Sequence, residues 1–186
     1  MISKNFSGFH VSAKRFNLVF MSTSPESIQF LTLAEAHAID GAMLSTMEKF
    51  MTRITISSMR IITKIAQELR IHAESLSAQQ IVQWIELDSQ IRKEQGEDAA
   101  FLKWTSPHPD LDFEDTRQDE VTPANLSSHE KFLTRMVISS MQALVAIAKD
   151  YSIHLEDLTA DQVIAWVERD AKVKREQGIE AGFLSW

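Results

Sequence analysis

The sequence predicts an all-α protein, in which two tandem helix-hairpin modules related by a pseudo-twofold pack into one helical bundle. Three observations carry that prediction. Residues 48–104 align without gaps on residues 130–186, an offset of 82 positions, and 27 of the 57 pairs are identical, so that KEQGEDAAFLKW returns as REQGIEAGFLSW. Glycine (5), proline (4) and tyrosine (1) are scarce among 186 residues, which leaves few turns for a β fold. Capping boxes also recur at the same places in both copies. Internal repetition at this length points to paired modules, because a solenoid needs about three repeats to bury a continuous core.

Residues 1–29 are read as an N-terminal extension outside the fold. Their start is basic and rich in phenylalanine (Phe6, Phe9, Phe16, Phe20). The expectation is a disordered tail or a mis-called start, with Met21 as the true one; a transit-type targeting peptide is the alternative. Module 1 spans residues 30–104 and opens with an extra helix. Thr32-Leu33-Ala34-Glu35 is a capping box, followed by Ala36, Ile39 and Met43 at helical spacing.

Each module then has a long first helix. Ser45-Thr46-Met47-Glu48 and Ser127-Ser128-His129-Glu130 start it, and it runs to about Leu69 and Tyr151. A second box opens at Ser77-Ala78-Gln79-Gln80 and Thr159-Ala160-Asp161-Gln162. That helix runs to Gln95 and Gln177, where Gly96 and Gly178 supply the stop. The tails EDAAFLKW and IEAGFLSW are expected to add one more helical turn or two. Between the modules, residues 105–125 carry six acids against one arginine and read as an acidic linker; module 2 follows over 126–186.

Helix one is apolar around much of its girth, with Phe50, Met51, Ile54, Ile56, Met59, Ile61, Ile62, Ile65, Ala66 and Leu69 in the first copy. A helix with one partner needs only a stripe, so a wider apolar surface implies several partners. Each copy is therefore expected to cover the other's long helix. The paired serines Ser57-Ser58 and Ser139-Ser140 mark a close crossing, or a spot where a hydroxyl bonds back to its own helix.

Candidate functional residues fall into three groups. Lys49, Arg53, Lys131 and Arg135 lie near the positive end of helix one, where cations are disfavoured. Hairpin counting sets Arg53 beside Glu94 and Arg135 beside Glu176 as internal ion pairs, and a basic spot for an acidic partner is the rival reading. Phe101, Trp104, Phe183 and Trp186, read at helical spacing, either fold back near Phe50 and Phe132 or form an aromatic latch for a partner. His72 and Glu74 recur as His154 and Glu156. They are weak metal candidates, because a histidine just past a helix more often caps it. Trp84 and Trp166 are read as core anchors.

The absence of cysteine excludes disulfides, thiolate metal sites and cysteine nucleophiles. No glycine-rich phosphate loop, GxSxG or HExxH occurs, so no cofactor is expected. The net charge of −7 disfavours a broad phosphate-binding face. The basic residues Arg92-Lys93 and Lys172 to Arg175 have no interleaved aromatics, and they suit the negative end of a helix. No apolar run approaches the roughly 20 residues of a membrane span. The leading expectation is a non-enzymatic interaction or regulatory protein with a protein partner or self-association, in a bacterial cytoplasm. A nucleic-acid-binding regulator and a metal-binding or catalytic bundle are the rivals, and a small-molecule ligand stays open.

Overall fold

The computed structural model describes residues 31–104 and 117–184. The N-terminal extension, residues 105–116 of the linker and Trp186 lie outside the described residues. Within them the fold is all-α. Five helices follow in order: α1 (Leu33–Gly41), α2 (Thr46–Leu69), α3 (Ala78–Gln95), α4 (Ser128–Tyr151) and α5 (Ala160–Gln177). The long helices α2 and α4 each have 24 residues, and α3 and α5 each have 18, at matching positions of the repeat.

All five predicted capping boxes form. Thr32, Ser45, Ser77, Ser127 and Thr159 each accept from a backbone N–H three residues on, and the glutamate or glutamine there accepts from the cap's own N–H. Each box satisfies two amides that a helix start would otherwise leave without partners. At the other end, Arg70 and Ser152 take left-handed backbone (φ 56° in both). The next amides, of Ile71 and Ile153, bond back to the carbonyls of Ala66 and Ala148. That Schellman closure turns the chain sharply into a short 3₁₀ turn, Ala73–Ser75 or Leu155–Asp157, before the second helix. Gly96 and Gly178 stop α3 and α5 at φ 89° and 100°, a backbone that a side chain would strain.

The two copies interlock. α2 packs most extensively along α4, and more extensively on α5 of the other copy than on its own α3. Ile56, Ile62, Ile65, Ile81, Ile85 and Leu102 of the first copy are fully buried with Leu144, Ile147, Leu155 and Val163 of the second. Thr52, Thr55 and Ser58 on α2, and Thr134 and Ser140 on α4, are buried as well. Four of these hydroxyls bond back to carbonyls of Glu48, Met51, Glu130 and Met136 one turn earlier. Small side chains whose polar atoms are satisfied within their own helix allow two long rods to approach closely.

Reciprocal exchange of glutamates reinforces the interlock. Glu168 of α5 accepts from the Met43 amide just ahead of α2, at 2.7 Å. Glu86 of α3 accepts from the Asn125 amide just ahead of α4, at 2.5 Å.

Three expectations are corrected. Arg53 pairs with Asp40, not Glu94, and Arg135 pairs with Asp119, not Glu176. Hairpin counting fails because α3 and α5 also lean on the opposite copy, so their far ends leave the register of their own long helix. The tails after Gly96 and Gly178 are single 3₁₀ turns followed by extended chain, so Trp104 does not share a helix with Phe101. Finally, Ser128–Tyr151 is long and apolar enough, by length and composition, to cross a membrane. In the bundle its Val137, Ala143, Leu144, Ile147 and Ala148 are buried, while Phe132 is exposed.

Candidate functional site

Two features stand out once the helices are placed: a cluster of four side chains at the pseudo-twofold, and a groove beside the long-helix pair. The cluster follows from the sharp exits of α2 and α4. Each Schellman closure is followed by a 3₁₀ turn, and the two turns meet. His72 and His154 stack, with ring centroids 4.9 Å apart and planes at 18°. Each glutamate reaches the opposite copy. Glu156 accepts from the Ala73 amide and Glu74 from the Leu155 amide, both at 2.8 Å. His72 Nδ1 then lies 3.6 Å from Glu156 Oε1, and His154 Nδ1 lies 3.7 Å from Glu74 Oε1.

Burial pushes the Glu74 carboxyl up, but the Leu155 amide, its own amide and the two imidazoles outweigh that and hold it below its ordinary 4.5. The imidazoles themselves cap nothing, although both residues occupy the position just before a 3₁₀ turn. The helix-end carbonyls that the histidines were expected to cap are taken by the backbone amides of Ile71 and Ile153, while each glutamate accepts from the first amide of the opposite 3₁₀ turn.

The groove has a volume of about 330 Å³. Its walls are Ile54, Ser57, Ser58 and Ile61 of α2 and Leu133, Met136 and Val137 of α4, with Trp104 and Lys103 at one side. Ile54 and Met136 are the same position of the two copies, so one repeat position serves both walls. Arg53 and His129 complete the lining.

The other residues named from the sequence are divided by the structure. Lys49 and Lys131 each donate to a backbone carbonyl ahead of their helix, of Asp40 and Thr122. Arg135 is buried and bidentate on Asp119, whose carboxyl it holds far below the usual range. Phe101 packs edge-on against Trp84 and Phe183 against Trp166, not near Phe50 or Phe132. Asp88 and Asp170 fix these segments by accepting from the amides of Phe101 and Leu102 and of Phe183 and Leu184. Leu102 and Leu184 are the buried members, whereas Phe183 is 58 % exposed. Trp166 is buried and Trp84 half-buried; their indole N–H groups donate to Asp150 and Glu68.

Four of the basic residues at the helix ends are engaged internally. Arg92 bridges Asp88 and Glu130, Lys174 pairs with Asp170, Lys172 with Glu176, and Arg175 donates to the Met43 carbonyl. Ile54, Leu133 and Met136 went unnoticed as site residues. Their signal was an apolar girth on helix one wider than three neighbours can cover, with Phe50 and Phe132 left about half exposed.

The described residues thus define a class of protein, an all-α bundle of two like modules with a partly apolar groove. The family model described as NDH complex assembly factor CRR9 matches this chain twice in tandem, over residues 31–107 and 112–186. The chain belongs to that family, and each matched stretch covers one module of the repeat. No curated protein and no solved structure matches the chain.

Proposed function

We propose that this protein is a non-enzymatic assembly factor that binds a polypeptide component of an NDH complex, and that the groove between α2 and α4 receives it. The observation that carries this reading is the double match to a family described by that role. The groove supports it: Ile54, Leu133, Met136 and Trp104 are all half-buried there, which leaves apolar surface for a partner. Apolar and aromatic side chains grouped at one place are the usual anchors of an interface.

Co-purification of the tagged full chain with NDH-complex components tests the role. Capture of such a component, reduced at least about tenfold by Met136→Glu or Trp104→Ala, is the expected outcome, since central anchors carry about 2 kcal/mol or more. Melting curves of the variants check that the bundle survives. Failure to capture any NDH component overturns the role. Capture unaffected by either substitution leaves the role standing and moves the contact off the groove.

A further inference from the structure

We propose that His72, His154, Glu74 and Glu156 together bind a divalent cation of the zinc class at the pseudo-twofold, joining the two modules. One ligand atom from each of the four lies within 4.8 Å of the others. Two imidazole nitrogens and two carboxylate oxygens are a donor set that zinc takes readily. In a tetrahedral zinc site with bonds of about 2.1 Å, neighbouring donor atoms are roughly 3.4 Å apart. The His72–Glu156 and His154–Glu74 separations of 3.6 and 3.7 Å are near that edge. They are also too long for hydrogen bonds, so the carboxylates do not fix the rings.

The supporting shell is in place. Both carboxylates are oriented by a 2.8 Å hydrogen bond from a backbone amide of the other copy. Outer contacts of this kind set the direction of metal ligands. Glu156 also keeps a buried oxygen, Oε2, with no hydrogen-bond partner, an acceptor whose burial a cation would offset. The imidazoles, 70 % and 66 % exposed, leave the cluster open to an ion from solvent. Ligands drawn from two copies 82 positions apart come together only in the folded chain, so the ion stabilises the folded state.

The test uses the full chain freed of metal with EDTA and titrated calorimetrically with zinc chloride. One zinc per chain is expected, with a raised melting temperature and no comparable response to magnesium, which prefers all-oxygen sites. Neither imidazole makes a capping bond. His72→Ala and His154→Ala should each weaken zinc at least about tenfold, with the melt of each variant in EDTA serving as its own metal-free baseline. The double variant should lose both the binding and the thermal shift, although four of the six histidines of the chain remain. An absence of saturable zinc binding overturns the proposal, as does binding of undiminished affinity in the double variant. Neither result bears on the groove.

Discussion

Ahead of α2 stands a nine-residue helix, whereas the described residues ahead of α4, from 117 on, make a turn built by Asp119 and Thr122. The two entrances nonetheless deliver the same contacts at the same offset. Ile39, Ala42 and Leu44 become Val121, Ala124 and Leu126; the first and last of each set are buried, as is Ala124. The amide bonds Ala42 to Ile39 and Leu44 to Ala42 recur as Ala124 to Val121 and Leu126 to Ala124. Lys49 and Lys131 both reach a carbonyl of this segment, and Arg53 and Arg135 both reach an aspartate in it. The repeat therefore begins before residue 48 in contacts, although not in identity. A core needs apolar groups at set positions and paired polar groups around them; it does not require the backbone between them to be helical. Residues 119–125, the end of the stretch read as linker, are thus part of the second module's packing.

A second contrast concerns reach. Arg92 extends from α3 to Glu130 in the capping box of α4, so it ties the first module to the second. At the matching position Lys174 pairs with Asp170 on its own helix, and its stem lies where a Cβ on Gly182 would stand. The planar fork of arginine can serve two carboxylates at once, whereas lysine is a point charge.

The largest test of the comparison separates the halves. Residues 31–104 expressed alone should give no cooperative melt by circular dichroism, because α2 loses both α4 and α5. A sharp transition in a monomer would break the mutual-cover account of the fold. Next comes the shared core. Ile62 and Leu144 occupy one repeat position and are both fully buried. Each truncation to alanine should cost about 2–5 kcal/mol in urea unfolding, and similar values for the two would confirm that the halves share one core equally.

The entrances should then differ. Asp119→Ala removes the bidentate, half-buried partner of Arg135, which keeps its contact to Thr122, and should cost about 1.5–3 kcal/mol. Asp40→Ala removes an exposed partner of Arg53 and should cost less than about 1 kcal/mol in the same assay.

The smallest effect is on the acid limb. Glu35, Glu74 and Glu130 are held below their ordinary 4.5 and Asp119 below its 3.8. For Glu130, burial raises the carboxyl, and the Ser127 amide, the Ser89 and Ser127 hydroxyls and Arg92 together bring it down. Because the unfolded chain binds these protons more tightly, their stabilisation is complete above the ordinary values and is lost as pH falls through the folded ones. Melting temperature should hold between about pH 7 and 5 and drop by about pH 3, with a shallower drop in Glu130→Gln. An identical acid limb in that variant would remove Glu130 from the account.

How much was legible depended on the range of the interaction. Every capping box read from the sequence formed, and α3 and α5 end at Gly96 and Gly178 as read, because caps and stops are settled between residues a few positions apart. The pairing of His72 with Glu156 and of His154 with Glu74 was readable only as a recurrence of two residue types. Nothing local says that the 3₁₀ turns meet. The partners of Arg53 and Arg135 were misassigned for a related reason: counting along a hairpin assumes that its two helices stay level, and here they part to embrace the other copy. The groove was the least legible feature, since Ile54 and Met136 look like any other apolar residue of a core helix.

By itself, then, the sequence determined which segments are helical, where they begin and stop, and that the molecule is a doubled object. These are matters of local hydrogen bonding and apolar periodicity, which act over a few residues. Only the tertiary structure decided which faces meet. It placed α2 against α4 and α5, exchanged Glu86 with Glu168 and Glu74 with Glu156 between copies, and left one apolar strip uncovered. Burial is a property of surfaces brought together from distant parts of the chain, and its direction is settled when they close on one another.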